Sequence, residues 1–384
     1  MVNLLIYNSR LNAWLQRNEW PVAKDTARYM IGCLLVLLAF GKVLAAEVKG
    51  LYSAEVLVAA ADPFARQDAM KHGLIQVLVK VTGEENLMEL QPVTRALKNP
   101  QAYVSSFSLA STEEQVPDGK GKLVEAKKLL VTFEQSAINK LIEDAWLPRW
   151  GSNRPTVLLW IAVETNDGRK LLSTDDEHPV IASLAKAAGL RGVPLLMPLM
   201  DLTDEASMAV SDVWGLFEEP VLQASQRYQA DNVLMGRIYQ SPTGDWYGHW
   251  RFLMKDQGLM FDGFSEQLDE LALQTVGQMA RLQAKEYAII AGGMSSNDIS
   301  ITIDNVSSVA DYANVTRYLE KLAPVKRAKI VNVKNTRVAY ELETEGGVEQ
   351  LEKAIDLGEQ LTQVVTAARD PRGNVLLHYR WTSN

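Results

Sequence analysis

The chain has 384 residues, 47% hydrophobic and 22% charged, which excludes a disordered or collagen-like chain and a polytopic membrane protein. Its 39 Lys and Arg against 47 Asp and Glu give a formal charge of −8, without the basic footprint of a general nucleic-acid binder. One cysteine excludes an internal disulfide framework and a thiolate zinc cluster.

Residues 1–28 carry Arg10, Arg17, Lys24 and Arg28 against Glu19 and Asp25, and the apolar run 30–40 follows. A basic segment ahead of about eleven apolar residues has the form of an export signal, and the small residues Ala45 and Ala46 offer a cleavage point. Eleven residues fall short of the roughly 20 that a membrane span needs, so a cleaved signal is expected; an uncleaved single-pass anchor, with the C-terminal part outside the cytoplasm, is the alternative. Most of the apolar run, residues 34–40, follows Cys33 instead of preceding it, which argues against a lipid-attachment site. Removal of residues 1–45 leaves 34 basic against 45 acidic residues, a charge of −11, and no cysteine. That composition suits an oxidising compartment outside the cytoplasm.

Three modules are expected beyond residue 46. In the first, 47–150, a strand over Tyr52–Ala59 precedes a helix capped at Asp62-Pro63, with Met70, Leu74, Val77, Leu78 and Val81 at helical spacing and Gly83 closing it. A short helix over Leu90–Leu97, strands over Ala102–Leu109 and Leu123–Phe133, and a helix over Ser136–Ala145 follow. The polar stretch Ser111–Lys122 between the strands reads as a loop.

The second module, 154–292, alternates apolar strands (Thr156–Val163, Val193–Met197, Asn232–Tyr239) with helical stretches at Val180–Ala188 and Pro220–Gln229, an α/β pattern with some parallel pairing. Trp246–Met254 and Leu259–Phe264 read as an antiparallel addition at the sheet edge, and a helix over Glu266–Ile290 precedes a linker at Ala291–Asn297. In the third module, 298–384, the order is β-α-β-β-α-β, ferredoxin-like, with room for one added strand. The fold class expected is therefore mixed α/β, of the α+β and α/β kinds, in three small modules.

Four histidines stand far apart and no H-E-x-x-H occurs, so neither a metal nor a cofactor is expected. Ser183-Leu-Ala-Lys186 matches S-x-x-K, but neither S-D-N nor K-T-G accompanies it, and such a match arises by chance in a chain of this length. Asp175, Asp176, Asp201 and Asp204 precede helical stretches, where carboxylates cap N–H groups. Gly119-Lys-Gly-Lys122 lacks the Ser or Thr of a phosphate loop. Trp150 at the first junction, and Trp246, Tyr247 and Trp250 in the edge hairpin, form the candidate interaction surface, aromatic anchors being frequent at interfaces.

The stretches Phe64-Ala-Arg-Gln-Asp-Ala-Met, Leu78-Val-Lys-Val-Thr-Gly, Asn99-Pro-Gln-Ala-Tyr-Val and Leu147-Pro-Arg-Trp, with Arg154-Pro155, resemble a family of uncharacterised bacterial envelope proteins, domain of unknown function 2066. Residues 230–256 are similar to the amino-terminal domain of the periplasmic protein TolB, a likeness that implies a binding module. Taken together, the expectation is a periplasmic, non-enzymatic accessory protein that binds other envelope proteins. Nucleic acid is not an expected partner, and the membrane is one only through a retained signal. The alternatives are an envelope hydrolase using Ser183 and Lys186 or Asp201 and Asp204, and a small-ligand binding protein.

Overall fold

The computed structural model describes residues 48–59, 65–117, 121–255, 257–290, 296–358, 360–370 and 374–382. The expected export segment, 1–46, and the Asp62-Pro63 cap lie outside them. The architecture is mixed α/β, with ten helices and four sheets among the described residues, and Leu44–Asn384 forms one compact unit. Among the described residues no helix is long and apolar enough to cross a membrane.

The apolar positions of helix α1 (Ala65–Thr82) decide the first layer: Met70, Leu74, Val77, Leu78 and Val81 are all buried. They share a core with Leu129, Val131 and Phe133 of a three-stranded antiparallel sheet in the order β1 (Ser53–Ala59), β3 (Leu123–Phe133), β2 (Val104–Pro117). Helices α2 (Gln91–Ala96) and α3 (Gln135–Asp144) add Val93, Ile138 and Ile142 to that core. The stretch from Ser111, expected as a loop, instead continues β2 to Pro117. A register shift between Ser111 and Gln115 absorbs the polar residues, and pairing resumes at Gln115 with Glu125.

After β4 (Pro148–Arg149) the chain enters the central sheet, in the order β10, β9, β8, β5, β6, with β7 (Leu195–Leu196) pairing β5. Its strands are β5 (Val157–Thr165), β6 (Gly168–Leu171), β8 (Asn232–Gln240), β9 (Trp246–Met254) and β10 (Gln257–Ser265); β5 runs parallel to β7 and β8, and the other pairs are antiparallel. Val157 to Val163 is buried throughout because both faces are covered, which is why that strand is apolar without alternation. Helices α4 (Pro179–Arg191) and α8 (Leu268–Tyr287) pack on one face. The short helices α6 (Val210–Trp214) and α7 (Glu218–Ser225) cover part of the other, and α5 (Leu202–Ser207) leads into them. In that second core the indole of Trp160 donates to Ser225 Oγ at 2.9 Å.

Beyond β11 (Ile289–Ile290), which pairs β4, lies a five-stranded sheet in the order β13 (Val325–Lys334), β14 (Arg337–Thr344), β12 (Ser296–Asp304), β16 (Val375–Trp381), β15 (Leu361–Arg369). Helices α9 (Val309–Lys321) and α10 (Val348–Asp356) contribute Val315, Leu319, Leu351 and Ile355 to its core. The elements through α10 follow the ferredoxin-like order, but two strands come after it. The last of them, β16, inserts between β15 and β12 and runs parallel to β12. Residues 291–295 of the expected linker lie outside the described residues, and β12 already begins at Ser296.

One buried cation joins the first two layers. Arg154 uses all five N–H donors on backbone carbonyls: Nε on Gly151 (2.9 Å), one terminal nitrogen on Arg191 and Gly192 (3.1 and 2.9 Å), the other on Lys80 and Trp150 (2.7 and 3.2 Å). Lys80 lies in the last turn of α1, while Arg191 and Gly192 end α4, so the guanidinium meets the partial negative ends of two helices. It also stacks 3.8 Å from the Trp150 ring. Burial pushes its pKa down to about 9, still above neutral pH, so it stays charged.

The C-terminal sheet is fastened to the same segment. Arg149 donates to Ala323 O at 3.1 Å and pairs with Glu345 at 2.7 Å, and Lys326 pairs with the other oxygen of Glu345 at 2.7 Å. Burial alone would raise the Glu345 pKa, but the hydrogen bonds from Lys326 and Arg149 outweigh it and hold the carboxyl below its usual value.

Replacement of Arg154 by Met is expected to lower the unfolding free energy by about 3–5 kcal/mol, because five carbonyls lose their donor. Arg154→Lys should recover less than half of that loss; urea denaturation measures both, and a change below about 1 kcal/mol for Arg154→Met would refute the central role of the contact. A depressed carboxyl pKa stabilises above the unfolded value and ceases to do so as pH falls. Glu345→Gln should therefore be less stable than the parent at neutral pH, and the two melting temperatures should converge as pH drops through about 4.

Candidate functional site

Strands β8, β9 and β10 alternate, so Arg237 and Tyr239, Tyr247, His249 and Arg251, and Met260, Asp262 and Phe264 project from the sheet face opposite α4 and α8. Register turns them into rows. Tyr239 faces Tyr247, which faces Phe264; the next row is Arg237, His249, Asp262; the third is Met235, Arg251, Met260. Helices α6 and α7 cover the lower part of this face with Val213, Val221 and Ala224, and the upper rows remain open. Phe264 is 52% and Met260 65% exposed.

The aromatic row is ordered by stacking. Tyr239 and Tyr247 lie 5.4 Å apart at 9°, Tyr247 and Phe264 5.0 Å apart at 49°, and Trp214 continues the row 6.4 Å from Tyr239. Arg169 sits 3.9 Å over the Trp214 ring, and Arg237 donates to the Trp214 carbonyl at 2.8 Å. His249 stacks on Tyr239 at 5.9 Å and has both nitrogens engaged: Nδ1 with Asp262 at 2.7 Å, Nε2 with the Tyr239 hydroxyl at 3.3 Å. With Nδ1 carrying the proton toward Asp262, Nε2 accepts from Tyr239, an assignment made from these partners. Arg251 pairs with Glu218 at the start of α7 and bounds the open area. The result is a fixed platform of ring faces and edges, bordered by β10, whose outer side has no strand neighbour among the described residues.

The candidate interaction residues are placed differently from one another. Tyr247 stands in the middle of the row, half-buried. Trp246 is half-buried on the opposite face, against the core under α8. Trp150 and Trp250 are 1% exposed and cannot anchor a partner. The Trp250 indole lies where Gly236 and Gly248 have no side chain; a Cβ at either would stand 2.1 or 2.6 Å from it. The hairpin lies at one end of the sheet, with β9 interior and β10 the outer strand. Tyr239, Phe264 and Trp214 do not stand out as anchors in the sequence, although the i, i+2 pairs Arg237/Tyr239, Tyr247/His249 and Asp262/Phe264 mark one strand face.

The residues of the hydrolase alternative are occupied in packing. Ser183 Oγ donates to Asp269 Oδ1 at 2.6 Å, and Lys186 Nζ to Oδ2 at 2.7 Å, so both clamp α4 to the first turn of α8. Hydrogen bonds from Lys186 and then Ser183 hold the Asp269 carboxyl below the usual range. The serine proton thus points to a carboxylate and not to the lysine. Asp201 caps α5 through Thr203 and Asp204 N–H groups and takes the Arg227 fork at 2.7 and 2.8 Å. Asp204, fully buried, accepts from Arg227 at 2.9 Å, from Met200 N–H at 3.0 Å and from the Tyr228 hydroxyl. Burial, reinforced by Asp204, pushes that hydroxyl up to about 12. Asp176 is likewise held, by Lys170 at 2.6 Å and Ser173 N–H at 2.9 Å. Among the described residues no three His, Cys, Asp or Glu side chains converge as a metal set.

The family described as Domain of unknown function (DUF8605) matches residues 45–151. That match corrects the expected resemblance to domain of unknown function 2066, and the likeness of 230–256 to TolB finds no support. No curated protein matches the chain. Among solved structures, a prolyl-tRNA synthetase from Cryptosporidium parvum complexed with L-proline and AMP is similar at 11% identity and a TM-score of 0.17, over 59% of this chain and 50% of that one. The chain spans about half the length of that structure, and a likeness this slight carries no argument for fold or activity.

Proposed function

We propose that this chain is a non-enzymatic accessory protein of the bacterial envelope that binds another envelope protein through the open face and free edge of β8, β9 and β10. The observation that carries the reading is the in-register row Tyr239, Tyr247, Phe264, continued by Trp214 and ending at β10, whose outer side has no strand neighbour among the described residues. Stacked rings on rigid strands offer apolar area with little side-chain entropy left to lose, and a free edge accepts an extended segment through backbone hydrogen bonds. The clamped states of Ser183, Lys186, Asp201 and Asp204 favour binding over hydrolysis. Export is part of the proposal and rests on the basic and apolar segments of residues 1–46.

A photo-crosslinker placed at Phe264 should capture one stoichiometric envelope protein in cells, and one at Leu202, 84% exposed on α5, should not. Tyr247→Ser should abolish that capture with the melting temperature lowered by no more than a few degrees, about 1 kcal/mol of ring packing being lost. Equal capture from both positions, or capture indifferent to Tyr247→Ser, would count against the surface. Ser183→Ala should leave the cellular role intact; its loss at unchanged protein level would favour the hydrolase. A reporter active only outside the cytoplasm, fused after Asn384, should give signal, and a signal confined to a cytoplasmic reporter would refute export.

A further inference from the structure

The far end of the C-terminal sheet carries a second feature. Strands β12 and β16 end side by side there, with Asp304 and Arg380 as register partners. The turn from β13 to β14 closes beside them: Asn335 adopts φ 55°, and Val306 N–H donates to the Thr336 carbonyl at 2.9 Å, tying the turn to the chain leaving β12. Between these segments opens a cavity of about 610 Å³ lined by Asn305, Lys334, Asn335, Thr336, Arg337 and Arg380, together with Asp304. That volume lies within the range of small-molecule sites, and carboxyl ends of neighbouring parallel strands are where open sheets receive ligands.

The lining carries three cations, Lys334, Arg337 and Arg380, against one carboxylate. Its single carboxylate is already engaged: Arg337 donates to Asp304 through Nε at 2.5 Å and a terminal nitrogen at 3.3 Å, and His378 Nε2 meets the same group at 2.9 Å. Those contacts, Arg337 foremost, hold Asp304 ionised below the usual carboxylate range. Lys334 and Arg380 have no acidic partner among the described residues. Two unpaired cations thus share a concavity on a chain of net charge −8, where acidic side chains outnumber basic ones. Like charges held together in this way raise the local potential and draw in a counter-ion. Of the neutral lining groups, the Asn335 amide and the Thr336 hydroxyl add donors suited to oxygen, while the Asn305 amide donates to the Trp381 carbonyl at 2.9 Å and fixes that wall.

We propose that this cavity binds a multiply charged oxyanion of the phosphate class, with Lys334 and Arg380 supplying the charge and Arg337, steadied by Asp304, a third cation. Free phosphate and a phosphate-bearing lipid headgroup share that chemistry. The site is separate from the aromatic face, and its failure would leave the binding reading of that face intact.

The test is a titration of the full chain with inorganic phosphate at constant ionic strength, followed by backbone amide shifts, with chloride as control. Saturable shifts confined to the segments around 304–306, 334–337 and 380 are expected. The double variant Lys334→Ala/Arg380→Ala, at two exposed positions, should weaken binding about tenfold or more with the melting temperature unchanged. Shifts of equal size with chloride, or an unchanged dissociation constant in the double variant, would overturn the proposal. Co-sedimentation with phosphatidylglycerol vesicles, compared with phosphatidylcholine vesicles, distinguishes the source. Retention that is lost in the double variant and displaced by inorganic phosphate supports a headgroup, phosphate binding without retention supports a free anion, and the absence of both overturns the site.

Discussion

A guanidinium without a carboxylate partner is an expensive thing to bury, and the arrangement around Arg154 shows how the expense is met. Five carbonyls converge on it, three of them at the ends of α1 and α4, so two helix termini that would otherwise expose unsatisfied oxygens are neutralised by one side chain. This fixes where the first layer meets the central sheet. The same short segment carries Arg149 into contact with Glu345, and Asn153 donates to Ala354 O at 3.4 Å, so the C-terminal sheet takes its position from the same stretch of chain. Lys353 with Glu286, at 2.9 Å, adds a second tie between α10 and α8. A few residues between Pro148 and Arg154 therefore organise all three layers, although none of them belongs to a long element.

Periodicity revealed the elements that bury a continuous face. The apolar spacing of α1, the unbroken run of β5 and the alternation of Val338, Tyr340 and Leu342 in β14 are direct prints of burial on the sequence. The features that escaped it depend on what lies across space. Helices α5 and α6 have six and five residues, too few for a period to show, and are made by caps such as Asp201 and Asp212. Strand β2 continues through polar residues because β3 gives it a ladder to join. The C-terminal sheet has its strands in a parallel arrangement at β12 and β16 that no local signal encodes.

The candidate surface shows the same division. Tyr247 was legible as an aromatic in a strand, but aromatic character alone did not separate it from Trp250, which fills the room left by two glycines on neighbouring strands. What decides is parity: Tyr247 and His249 face one way, Trp246 and Trp250 the other. Parity is readable in a sequence, whereas which face stays uncovered depends on where α6 and α7 stop, and that is a tertiary fact. The S-x-x-K match is the converse case, a pattern whose two members do meet a common group, Asp269, but as a clamp between helices.

The position of β16 bears on how the chain acquires its structure as it emerges. Its residues Leu377, Tyr379 and Trp381 belong to the interior of the third core, between strands laid down earlier. Until that stretch arrives, β12 lacks one of its two ladder neighbours and β15 has none in the sheet. Two unpaired strand borders are thus held waiting during delivery, while the cores built around α1 and β5 draw on sequence that is already out. The last layer is the one most exposed to wrong pairing in that interval, and a helper that shields bare strand edges would act there first.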